Sequence, residues 1–243
     1  MPMASVSMPA LFPAPLILFL FRTAVATAMF AAGGVSPAAE TRAHTRGDCA
    51  EVLNRALPRL REGDIIFICI KNALYRKIAQ TSLSWESHVG ILFRDPCGGW
   101  TVAESTLPLT KFTSLEKFFL HSKSGRFMIR RVREGLSPGE TQRLRVAVES
   151  RMGKLYHLGF KYDSPRLYCS KFVYDTFLEA TGHRIGRIET FREMFEENPA
   201  APVSFWRVWF WGSIPWERRT VTTTSQLRSA ELVTVFDSEK PVR

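Results

Sequence analysis

Cysteine is scarce in this sequence: four in 243 residues. That excludes a small disulfide scaffold. Long apolar runs are short of what a membrane span requires. A span needs ~20 uninterrupted apolar residues, and the one apolar region, residues 11–35, is split by Arg22. A polytopic membrane protein is excluded. Hydrophobic residues at 45% and charged residues at 23% exclude wholesale disorder. Internal repeats and low-complexity stretches are absent. So are a glycine-rich phosphate loop, histidines at metal-ligand spacing and paired cysteine motifs, so no cofactor and no metal are expected. Acidic residues are outnumbered, 23 against 33 Lys and Arg, for a net charge of +10. That balance favours anionic partners.

Residues 1–39 carry a single charged side chain, Arg22. Apolar runs flank it, and small residues, Ser36-Pro37-Ala38-Ala39, precede Glu40. This pattern predicts an export signal cut near Ala38 or Ala39. The competing reading is an uncleaved N-terminal anchor. No cysteine directly follows the apolar stretch, which speaks against a lipoprotein. Removing 1–39 and its one positive charge leaves 204 residues at +9, enough for one domain with a sizeable core. Residues 40–243 are therefore expected to form a single domain, with a Trp-rich extension from about 199. The expected location is exported, periplasmic or secreted, with membrane association open. Export turns the anionic partner from nucleic acid to envelope polymer or membrane surface.

Hydrophobic patterning predicts an α+β fold: a small, mostly antiparallel sheet with flanking helices. Residues 48–60 read as an amphipathic helix ended by Pro58. Ile65–Ile70 is a continuous apolar run with the character of a buried strand. Helix is expected at 72–80, strands at 87–93 and 100–107, and a hairpin turn at Asp95-Pro96-Cys97-Gly98-Gly99. Further expectations are a helix over 113–121 capped by Thr113 or Ser114, a strand over 126–132 and a helix opening at Ser137-Pro138-Gly139-Glu140. Another helix should open at Ser164-Pro165 and stop at Gly182. A last strand is expected at 231–237.

Three residues together suggest thiol chemistry. Cys169 lies near the start of an expected helix, where the macrodipole favours thiolate and backbone N–H groups can receive an oxyanion; Lys171 stands close by in sequence. Taken alone, Cys169 also reads as a small core residue, sharing a helical face with Phe172, Val173, Thr176 and Phe177. His88 is set in an apolar strand, on one face with Gly90 and Leu92. With a five-residue turn, Arg94 pairs with Trp100. His88 then faces Thr106, and Glu104 is its diagonal neighbour on the same face. A turn centred on Pro96 would set the two directly opposite, a bulge would put them on opposite faces, and Glu104 alone also reads as a solvated strand residue. Diagonal neighbours lie ~7–8 Å apart, within reach of a Glu side chain. Glu104 would then orient His88, and His88 would take the thiol proton.

Gly63-Asp64-Ile65-Ile66, Ser87-His88-Val89-Gly90-Ile91, Ala103-Glu104-Ser105, Tyr162-Asp163 and Tyr168-Cys169-Ser170-Lys171-Phe172-Val173 resemble the permuted papain-like amidases, the YiiX/YaeF-like group. These are distant relatives of the NlpC-type cell-wall cysteine peptidases and of lecithin:retinol acyltransferase. The resemblance covers roughly 60–185. It implies a circularly permuted papain-like fold in which the base and acid precede the nucleophile. It also implies catalytic roles for His88, Glu104 and Cys169, with Tyr168 helping to bind substrate or support the oxyanion. Lys171 departs from the acidic residue expected at its position.

The resemblance implies a cysteine hydrolase of amide bonds; with the expected export, peptidoglycan peptide is the leading substrate. The alternatives are an acyl-lipid hydrolase or acyltransferase of the same fold, and a non-catalytic cationic envelope-binding domain. The Trp-rich segment 205–216 reads as core or cleft wall, or as an interfacial membrane foot. Arg126, Arg130, Arg131 and Arg133 read as a solvated basic face. Cys49–Cys97 is a possible disulfide, and Cys69 is expected buried and free.

Overall fold

The computed structural model describes residues 46–240, with side chains from Glu51 onward. The expected leader, residues 1–39, and the side chain of Cys49 lie outside the described residues.

The domain is built on a six-stranded, wholly antiparallel sheet in the order β4-β3-β2-β1-β5-β8. Its strands are β1 (Ile65–Ile70), β2 (His88–Arg94), β3 (Trp100–Ser105), β4 (Thr110–Ser114), β5 (Ser122–Val132) and β8 (Leu232–Asp237). A two-stranded ladder joins β6 (Ile188–Thr190) to β7 (Arg219–Val221). The helices are α1 (Arg46–Ala56), α2 (Ala73–Thr81), α3 (Leu115–Leu120), α4 (Pro138–Glu149), α5 (Cys169–Thr181), α6 (Phe191–Glu196), α7 (Val203–Trp209) and α8 (Thr223–Leu227).

The apolar run of β1 is continuous because both sheet faces are covered. Ile65 and Phe67, with Val89, Ile91, Phe93 and Ala103, pack on α4 and α5. Ile66 and Ile68, with Leu92, Val102, Phe127 and Ile129, pack on α1 and α3. Such alternation commits each strand residue to one layer. A third cluster joins α6, α7 and Ile214, with Trp206 at its centre.

The helix expected over 113–121 is shorter, because Thr110–Ser114 pairs with β3 as an edge strand and Ser114 alone caps α3, accepting from Lys117 N. The helix expected from Ser164 begins five residues later, at Cys169. Leu167 is held in a parallel bridge with Tyr156, exchanging hydrogen bonds with Leu155 and His157, so its backbone is not free to enter a helix. The first part of the Trp-rich segment belongs to the helix α7, with Trp206 buried. The α4 capping box forms as expected between Ser137 and Glu140, and Gly182 ends α5 in the left-handed region.

The arginine stretch is not a free basic face. Arg131 makes two hydrogen bonds to buried Asp64, and Arg126 lies 4.2 Å over the Trp85 ring. Arg130 holds the carbonyls of Leu227 and Leu232, and Arg133 that of Ala230. Cys69 is buried and free, and Cys97 is exposed and free.

Candidate active site

The β2–β3 hairpin has the expected register. Arg94 pairs with Trp100, Leu92 with Val102 and Ile91 with Ala103. Continuing that ladder sets Glu104 opposite Gly90 and diagonal to His88. The carboxylate spans the diagonal: Glu104 Oε2 lies 2.6 Å from His88 Nε2. Gly90 leaves the path clear. A Cβ there would stand 2.4 Å from Val102 Cγ1 and 2.9 Å from the Ala103 carbonyl oxygen. The second carboxylate oxygen, Oε1, accepts from Thr113 Oγ1 at 2.6 Å. Thr113 faces Val102 on β4, so it is a diagonal neighbour of Glu104 in turn.

His88 is the first residue of β2, and its ring is 1% exposed. Phe118 packs on it at 5.5 Å between centroids, and Tyr75 meets it edge-on at 6.2 Å. With Nε2 committed to Glu104, Nδ1 is buried and has no partner of ordinary hydrogen-bond geometry. Hydrogen bonding and charge from Cys169 favour the protonated ring.

Cys169 occupies the first position of α5, nearer the positive end of the helix than a start at Ser164 would have put it. Tyr168 caps the helix through its backbone alone, with no side-chain acceptor for the first-turn N–H groups. Those N–H groups are therefore available to an anion. The helix start is pinned by buried bonds. Tyr168 Oη lies 3.1 Å from Thr220 Oγ1 and accepts from Val221 N at 3.0 Å. Ser170 Oγ donates to the Val221 carbonyl at 2.7 Å, and Gln226 Nε2 donates to the Ser170 carbonyl at 2.9 Å. Fixed partners on both sides leave Cys169 little positional freedom.

The electrostatics favour a charged pair. Burial works against the imidazolium, but hydrogen bonding and charge from Cys169 and Glu104 outweigh it and raise the His88 pKa to about 10. Burial likewise works against the Glu104 carboxylate, and the hydrogen bond and charge of His88, with the Thr113 hydroxyl, hold it below the usual carboxylate range. His88 is thus cationic and Glu104 anionic at neutral pH.

Cys169 forms one wall of a largely apolar pocket, with Ile78, Phe160, Tyr168, Met194 and Trp206 among the others. Tyr156 also lines it, buried. Burial, then the charge of Cys169 and of Tyr75, push its phenol well above the ordinary range, so it stays protonated and able to donate. Tyr75 is raised too, by burial first and then by the charges of Cys169 and Glu104. Thr113, Tyr75 and Tyr156 escaped sequence reasoning. Lys171 is spent elsewhere: its Nζ pairs with Asp175 at 2.6 Å and lies 5.5 Å from the Tyr162 ring centroid. His183 makes a second imidazole–carboxylate contact, 2.6 Å from Glu231.

Residues 59–236 match the family of permuted papain-like amidase enzymes, YaeF/YiiX, the C92 family. The chain belongs to this family. Members of the C92 family are amidases of the cysteine peptidase class. The chain is 28% identical over 176 residues to the uncharacterized protein YiiX of Escherichia coli K12, a stretch covering 71% of this chain and 84% of that one. It also resembles the crystal structure of the metalloprotein YiiX from Escherichia coli O157:H7, with a TM-score of 0.69 and 27% identity over 74% of this chain and 98% of that one.

Proposed function

We propose that this C92 amidase hydrolyses its substrate through a triad of Cys169, His88 and Glu104. The observation that carries this reading is the buried, oriented imidazole, with Nε2 held by Glu104 at 2.6 Å and Nδ1 left without a partner.

In this mechanism the Cys169 thiolate attacks the carbonyl carbon, forming the C–S bond and moving the π electrons to oxygen. The oxyanion is received by the first-turn N–H groups of α5 and by the Tyr156 hydroxyl. Imidazolium His88 gives its proton to the leaving nitrogen as the C–N bond breaks. Water then attacks the thioester with His88 as base, releasing the acid and restoring the thiol. Glu104, braced by Thr113, keeps the ring oriented and favours its cationic form throughout. Tyr168 offers its ring to the pocket, and its hydroxyl positions the helix that carries the nucleophile.

The YiiX relative is described as a metalloprotein. The donors here do not fit a resident metal. Among the described residues no three His, Cys, Asp or Glu side chains are grouped to hold one, and His88 Nε2 is taken by Glu104.

Residues 1–39 support export, and export makes peptidoglycan peptide the leading substrate. The apolar wall beside Cys169 favours a second reading, hydrolysis or transfer of a lipid acyl group. The test is incubation of purified protein, and of its Cys169→Ala variant, with peptidoglycan fragments and with acyl lipids, read by mass spectrometry. Product that needs Cys169 from either set supports the triad. Turnover by the variant overturns it.

A further inference from the structure

The segments that wall the pocket from within carry an apolar, cationic patch on their outer side. Trp206 and Phe160 face inward. On the outside of the same segments, Trp211 is 80% exposed, Val208 64% and Leu158 39%. These residues are tied into one surface. Trp209 Nε1 donates to the Leu158 carbonyl at 3.0 Å, and Arg218 lies 5.0 Å from the Phe210 ring while donating to the Gly159 carbonyl at 2.8 Å. Trp211 itself sits at φ 57°, just past the end of α7, in a turn closed by a Gly212 N to Arg207 carbonyl bond of 2.7 Å.

Basic side chains lie on the same segments. Lys161, Arg166 and Arg207 are exposed, with no carboxylate partner among the described residues. The neighbouring carboxylates are neutralised, Asp163 by Arg219 at 3.1 Å and Glu217 by Arg192 at 2.7 Å. Burial lowers the His157 pKa, and the charges of Arg218, Arg166 and Lys161 act in the same direction.

We propose that this surface docks the protein on an anionic lipid bilayer. Trp211, Val208 and Leu158 enter the headgroup boundary, and Lys161, Arg166 and Arg207 meet lipid phosphates. Exposed Trp beside aliphatic and basic side chains is the composition of an interfacial binder, in which apolar burial and attraction to anionic lipid add together. Among the described residues no helix is long and apolar enough to cross a membrane, so this attachment lies on the surface. It does not depend on the catalytic reading.

The test uses the full chain with vesicles of phosphatidylcholine, with and without phosphatidylglycerol. Hydrogen exchange is read peptide by peptide, so binding through another part of the chain does not imitate the result. Peptides spanning 157–166 and 203–213 should gain protection with anionic vesicles only. Trp211→Ser combined with Val208→Ser should weaken that protection about tenfold in lipid concentration. Lys161→Glu with Arg166→Glu should weaken it by at least about fivefold per lost charge. Cys169→Ala should bind as the parent does. Unchanged exchange in both segments overturns the proposal, as does concentration-dependent protection without lipid, which would mark the patch as a contact between copies.

Discussion

Glu104 Oε2 lies 2.6 Å from His88 Nε2 although the two residues are not paired across the ladder; Glu104 stands opposite Gly90. The contact depends on a diagonal reach over a position with no side chain. That arrangement makes the contact vulnerable at three residues: His88, Gly90 and Glu104.

The Glu104→Gln substitution keeps the size and loses the charge that sustains imidazolium. Turnover should fall by roughly 10²–10⁴-fold. The alkaline limb of the pH–rate profile, set in the parent by His88 near pH 10, should move toward neutrality. A profile measured from pH 5 to 11 on both proteins checks this.

The same pair makes stability depend on pH. His88 is raised, so its contribution is complete below the ordinary imidazole pKa of 6.5 and is lost as pH climbs through about 10. Glu104 is lowered, so its contribution is present above the ordinary value of 4.5 and fades as pH drops through its folded-state pKa. The unfolding free-energy difference between parent and Glu104→Gln should therefore peak between pH 4.5 and 6.5 and shrink steadily toward pH 10. Urea unfolding across that range measures it.

Gly90→Ala inserts a methyl group 2.9 Å from a backbone carbonyl and 2.4 Å from Val102. Overpacking of this kind costs about 1–3 kcal/mol. The loss in activity should exceed what stability explains, because the strand shift moves Glu104 off His88. Thermal melts beside steady-state rates separate the two effects. Equal rates per folded molecule would contradict this account of Gly90.

The alternation of the β2–β3 hairpin made the His88–Glu104 contact legible, since a five-residue turn leaves one register and one shared face. Thr113 was hidden because Thr110–Ser114 has too few apolar residues to announce an edge strand, and a strong cap at Ser114 drew the segment into the following helix. The same diagonal rule would have found it once β4 was recognised. The start of α5 was misplaced because Ser164-Pro165 carries good capping chemistry locally, while the bridge between Leu167 and Tyr156 is a long-range fact. Tyr75 lies on the buried face of α2 with Ala79 and reads as ordinary core. Tyr156 sits in a loop with no period to read. In the Trp-rich segment apolar residues outnumber polar ones on both faces, which blurs the periodicity that separates helix from strand.

Thiol alkylation at pH 6, mapped residue by residue with mass spectrometry, tests the central claim most directly. Among the described residues Cys97 and Cys69 have no neighbouring base to activate them and should react slowly. Cys169 should be modified at least about tenfold faster than Cys97 despite its burial, and His88→Ala should abolish that advantage. Cys169 labelling no faster than Cys97, or labelling indifferent to the loss of His88, would contradict the account.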